Sequence, residues 1–101
     1  MNQPDPGLIA RLRGMAKLGT TINELVEEVR RHLGTEDGLA LVVDRYFCEA
    51  FRLPLGEVRP VEGSECLGRS VYSRDEIDRL LLPRIEAARP LWDDDTSADR
   101  C

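Results

Sequence analysis

Three cysteines and one histidine are the most reactive side chains in this sequence. Their spacing limits what they can do. Cys48, Cys66 and Cys101 stand 18 and 35 residues apart, with no Cys-x-x-Cys pair. Zinc sites of the usual kind need paired ligands at short spacing, and a disulfide framework needs an even count, so neither is expected. Free thiols fit a reduced, cytoplasmic setting. Cys48 lies between Phe47 and Glu49 on a helix and reads as a small buried hydrophobe. Cys66 falls in an irregular stretch and reads as the more exposed thiol, the better nucleophile or redox candidate. Its sequence neighbour is Glu65, whereas a low-pKa thiol needs cations nearby. Cys101 ends the chain and is read as inert. His32 follows Arg30 and Arg31 at the end of a helix, where complementing the helix dipole already accounts for it.

Other motifs are weaker. Residues 63–68 read Gly-Ser-Glu-Cys-Leu-Gly and lack the Lys-Ser/Thr of a phosphate loop. No Gly-x-Ser-x-Gly elbow occurs. Asp75, Glu76 and Asp78 occupy a first helical turn, where the dipole favours them. Asp93, Asp94 and Asp95 lack the ligand order of a calcium loop, so solvation explains them better than a cation does. No catalytic residue, metal ligand or cofactor site is assigned, and a non-enzymatic protein is expected.

The elements that position these residues are mostly helical. Asp5 as N-cap and Pro6 at the first position open a first helix, with Leu8, Ile9, Leu12, Met15 and Ala16 on one face and Gly19 as its stop. Thr21 and Glu24 form a capping box for a second helix carrying Ile22, Leu25, Val26, Val29 and Leu33; Gly34 ends it. A third helix is predicted to start with Thr35 as N-cap and Glu36 and Asp37 in its first turn. Its wide apolar face (Leu39, Val42, Val43, Tyr46, Phe47, Ala50, Phe51) makes it the expected centre of the core, and Pro54 its stop.

From 53 to 72 the helical period vanishes. Residues 57–61 and 69–72 can pair as a short hairpin, or Leu55–Val58 can form a helical turn. As a packed connection the stretch would be pinned by Val58, Val61, Leu67 and Val71. A fourth helix opens on the Ser73–Glu76 capping box and continues through Ile77, Leu80, Leu81, Ile85 and Ala88. Pro83 should kink or restart it, and Pro90 should end it. Trp92 is expected to fold back onto the bundle. The predicted architecture is mainly α: a small three- to four-helix domain over residues 1–92, with one long irregular loop between helices three and four, and a disordered acidic tail over 93–101.

Composition narrows the function. Of 101 residues, 42% are apolar and 33% charged, which suffices for one core. No apolar run approaches the roughly 20 residues of a membrane span, and residues 1–7 do not resemble a secretory signal. Basic charge is carried by thirteen arginines and Lys17, a bias that a GC-rich genome explains. The net charge of −5 opposes nucleic acid. A helix-turn-helix built from helices two and three would show Glu36, Asp37, Asp44, Arg45, Glu49 and Arg52 outward, four acids against two bases, so a DNA-binding regulator is the alternative rather than the preferred reading. A thiol-dependent enzyme centred on Cys66 is the third reading.

Preferred is a small cytoplasmic protein acting by protein–protein interaction: an adaptor, inhibitor or immunity-type factor whose partner is basic. Glu57, Arg59, Glu62 and Glu65 of the long loop are the expected contact residues. If Leu8, Ile9 and Leu12 are left uncovered, a homodimer through the first helix would bury them.

Overall fold

Residues 4–34 and 38–98 are described by a computed structural model, with side chains as far as Asp93. Its helices are α1 (Pro6–Lys17), α2 (Ile22–Leu33), α3 (Leu39–Phe51), a single turn α4 (Leu55–Val58), α5 (Arg74–Ala87) and α6 (Arg89–Ala98). Two 3₁₀ turns, Arg59–Gly63 and Glu65–Leu67, lie between α4 and α5. The mainly helical fold expected from periodicity is the fold observed.

Local chemistry sets the ends. The Asp5 side chain accepts from the Gly7 N–H, and Pro6 supplies a preset φ at the start of α1. Capping boxes close on Thr21–Glu24 and Ser73–Glu76, each with both reciprocal bonds. Gly34 (φ 69°) ends α2 and Gly38 (φ 67°) precedes α3, both in the left-handed region that costs glycine nothing. The third helix therefore begins at Leu39 rather than near Thr35, which lies with Glu36 and Asp37 outside the described residues.

α3 is the centre of the core, as its broad stripe requires. Phe47 and Phe51 are fully buried, and Phe51 meets both Phe47 and Trp92 edge-to-face, at centroid separations of 5.7 and 5.4 Å. Trp92 folds back and donates its indole N–H to the Ile85 carbonyl at 2.9 Å. Leu8 and Leu12 of α1 are buried in the same core, with Ile9 packed against it. The first helix thus leaves no uncovered Leu8–Leu12 face for a second copy.

The C-terminal half departs from expectation. α5 runs through Pro83 without restarting. Ile77 and Leu81 before it and Ile85 after it are buried on one core face, and that burial outweighs the roughly 3 kcal/mol a mid-helix proline costs. Pro90 does not end an element; it sits in the first turn of α6, where a missing N–H is harmless. Residues 93–98, expected as disordered tail, continue that helix, anchored by buried Trp92 and by Asp93, which pairs with Lys17 at 2.9 Å and Arg89 at 3.2 Å. Residues 99–101, including Cys101, lie outside the described residues.

The 53–72 stretch is a packed helical connection with no paired strands among the described residues. Of the two local alternatives, the helical turn at Leu55–Val58 forms and the hairpin does not; its nearest trace is an isolated parallel bridge between Ser64 and Tyr72. Val58 and Val61 are fully buried and Leu67 packs partly buried against the core, whereas Val71, expected as the fourth pin, is 69% exposed. Gly63 runs close against Val71: a Cβ there would lie 3.1 Å from the Val71 Cβ, and its carbonyl accepts from the Val71 N–H at 3.0 Å. Arg84 of α5 ties the connection down by donating to the Glu57 carbonyl at 2.7 Å.

Candidate partner-binding groove

The route from α3 back over its own outer face builds the site. Arg52 caps α3 in the left-handed conformation (φ 56°), Leu53 turns inward, and Pro54 starts α4. Val58 and Val61 then point into the core three residues apart. A 3₁₀ turn repeats every three residues, so Arg59 and Glu62 stack on its other side, with Arg59 Nε 3.5 Å from Glu62 Oε2.

Between this turn and α3 lies a groove of about 450 Å³. Its rim carries Leu41, 69% exposed, and Leu55, 51% exposed. Cys48 and Glu49 line the α3 side, and Arg45 and Arg59 flank it. Asp44 forms the floor. It is 2% exposed, and apart from the proton it shares with Glu62 no other group of the protein donates to its carboxyl oxygens or to Glu62 Oε2. Burial pushes the Asp44 carboxyl up to about 8, reinforced by the hydrogen bond and the negative charge of Glu62 and opposed by the Arg59 charge. Two facing carboxylates can bond only when one carries the proton, so near neutral pH the pair holds one proton between them. The Cys48 thiol is also raised, first by burial and then by the charges of Asp44 and Glu49.

No family model, curated protein or solved structure matches this chain.

The four loop residues expected to contact a partner do not form one cluster. Arg59 and Glu62 belong to the groove. Glu57 is exposed on α4, and Glu65 accepts from the Arg74 N–H at 3.0 Å, serving the start of α5. Of the six residues expected on the outward face of the third helix, Arg45, Glu49 and Arg52 are exposed, Glu36 and Asp37 lie outside the described residues, and Asp44 is buried.

The reactive candidates are also dispersed. Cys66 is buried, not exposed, and burial raises its thiol despite a bond from Ser64. His32 Nε2 lies 2.8 Å from Asp5 Oδ2 and joins α2 to the cap of α1. Among the described residues no three His, Cys, Asp or Glu side chains are grouped to hold a metal ion, and no helix is long and apolar enough to cross a membrane.

Asp44 is the residue that sequence reasoning missed. A signal existed: it precedes Phe51 by seven residues, nearly two full turns, and so shares the side of α3 that Phe51 buries. What covers that side could not be read from the helix alone.

Proposed function

We propose that this is a non-catalytic cytoplasmic protein that works by binding another protein, and that the α3–α4 groove is where a basic partner docks. The observation that carries the reading is Asp44: a buried acid whose only hydrogen-bond partner is a second acid, Glu62, at the floor of a groove rimmed by two exposed leucines. Buried acids in a stable core are normally satisfied, because an unpaired one is costly to desolvate. Here an acid pair with no basic partner on its oxygens lies together with the exposed Leu41 and Leu55, which fits a surface completed by a partner. The net charge of −5 would steer a basic protein toward it.

A photo-crosslinking residue in place of Leu41 or Leu55, expressed in the native host, tests this. The expected result is one discrete adduct from both positions and none from Arg79 on α5. Its partner, once identified and purified, should form a defined complex whose on-rate falls steeply with added salt. Equal labelling from Arg79, or no protein adduct from either leucine, would reject the reading. So would sequence-preferring DNA binding at physiological salt that is lost on changing Arg45 and Arg52.

A further inference from the structure

We propose that the floor of this groove is a receptor for a single guanidinium group, so that a partner arginine enters between Leu41 and Leu55 and pairs with Asp44 and Glu62 together. The inference rests on the docking reading and adds the chemical class of the group that fills the groove.

The count of acceptors argues for it. Asp44 Oδ1, Asp44 Oδ2 and Glu62 Oε2 are three buried acceptors with a single shared proton between them and no other donor from the protein, brought together by α3 and the 3₁₀ turn. A guanidinium presents five N–H donors in a rigid plane and can serve two carboxyl oxygens at once; an ammonium is a compact point charge with a tighter hydration shell. The apolar rim suits the weakly hydrated group, because the aliphatic stem of an arginine can lie against Leu41 and Leu55 while its head reaches the acids. A divalent cation fits poorly, since two carboxylates are too few and no third ligand is grouped with them among the described residues. Arg59 already leans toward Glu62, but at 3.5 Å it leaves Glu62 Oε2 without a hydrogen bond and does not reach Asp44. It marks the chemistry of the site without filling it.

Proton balance gives the inference a signature. The ionisable groups facing Asp44 are Glu62 and Arg59 from the 3₁₀ turn and Arg45, Cys48 and Glu49 from α3; α4 contributes Leu55. Without a ligand the acid pair holds one proton, and it titrates near pH 8. An incoming guanidinium stabilises both carboxylates in ionised form, so the shared proton leaves to solvent as the cation enters. Affinity therefore rises roughly tenfold per pH unit below that midpoint and levels above it. Cys48 is raised above the ordinary thiol value and stays protonated across this window.

Butylguanidinium is the probe, with butylurea as its neutral counterpart and butylammonium as the other cation. Binding is followed through the side-chain carboxyl carbon resonances of Asp44 and Glu62 at pH 6, 7 and 8. The expected result is a saturable shift with butylguanidinium, at least tenfold weaker with butylammonium, absent with butylurea, and strengthening with pH. Asp44→Asn, close to isosteric and relieved of its buried charge, should weaken binding at least tenfold; Glu62→Gln supplies a second variant should the first perturb the fold. Equal shifts with butylurea, no saturable shift at the highest concentration that leaves the fold intact, or affinity unchanged from pH 6 to 8 would each overturn the proposal. Crosslinks from Leu41 and Leu55 with no response to butylguanidinium would reject this inference and keep the docking reading. Butylguanidinium binding without crosslinks would keep the guanidinium receptor and reject a protein partner as the source of the group.

Discussion

Two acids are buried among the described residues, and they live opposite lives. Glu28 on α2 is 7% exposed and Asp44 on α3 is 2% exposed, so burial barely distinguishes them. Glu28 accepts from Arg11 at 2.6 Å and from Arg31 at 3.1 Å. The bond from Arg11 and the nearby positive charges hold its carboxyl below the usual range, although burial works the other way. Asp44 has no basic partner and shares a proton with another acid, and burial first of all drives it up to about 8. The difference teaches that burial alone does not fix the state of a carboxyl; the partners within hydrogen-bond reach do. Glu28 is a finished contact fastening α1 to α2. Asp44 is an unfinished one.

The largest effect that would sharpen this contrast is in the pH dependence of stability. Asp44 binds its proton more tightly folded than unfolded, so between its unfolded value near 4 and its folded value near 8 the native state holds the extra proton, and stability falls as pH rises. The slope has a ceiling of about 1.4 kcal/mol per pH unit, and sharing with Glu62 should leave a total of about 2 kcal/mol between pH 5 and 8. Urea midpoints across that range should show the fall in the native chain and lose it in Asp44→Asn, which should be the more stable protein at pH 8. Parallel curves for the two proteins would break the contrast.

Glu28 has the opposite sign. Its stabilisation is fully present above about 4.5 and disappears as pH falls through its lowered folded value. Arg11→Ala should cost about 1 kcal/mol at pH 7, modest because Arg11 is more than half exposed, and the difference should vanish at strongly acid pH. A cost that persists there would point to lost packing instead of lost charge.

Smaller still, Arg59→Ala removes the positive charge that opposes the rise at Asp44, so the proton on the acid pair should be released at higher pH; carboxyl carbon titration would read it. The smallest effect is at Glu57, exposed and outside both clusters. Glu57→Gln should move stability by no more than about 0.5 kcal/mol in thermal unfolding.

The sequence announced its helices through short-range chemistry. Both capping boxes, the Asp5–Pro6 start and the stop at Gly34 are formed by residues within a few positions of one another, so their geometry is already present in the local chain. Errors arose where distant residues decide. Nothing near Pro83 says that Ile77, Leu81 and Ile85 share one core and so keep α5 whole. Cys66 looked exposed because loops usually are, yet the connection packs inward on Val58 and Val61. Of the expected contact residues, the stacking of Arg59 on Glu62 follows from 3₁₀ spacing, but their meeting with Asp44 does not.

Periodicity and capping therefore determined by themselves that this chain makes amphipathic helices around the 39–51 segment, because hydrogen bonds and apolar stripes repeat over one or two turns. Tertiary structure alone decided that Asp44 is covered and paired with another acid instead of a base. Its environment comes from Glu62, eighteen residues away along the chain and beside it in space, and a charge responds to what surrounds it rather than to what precedes it.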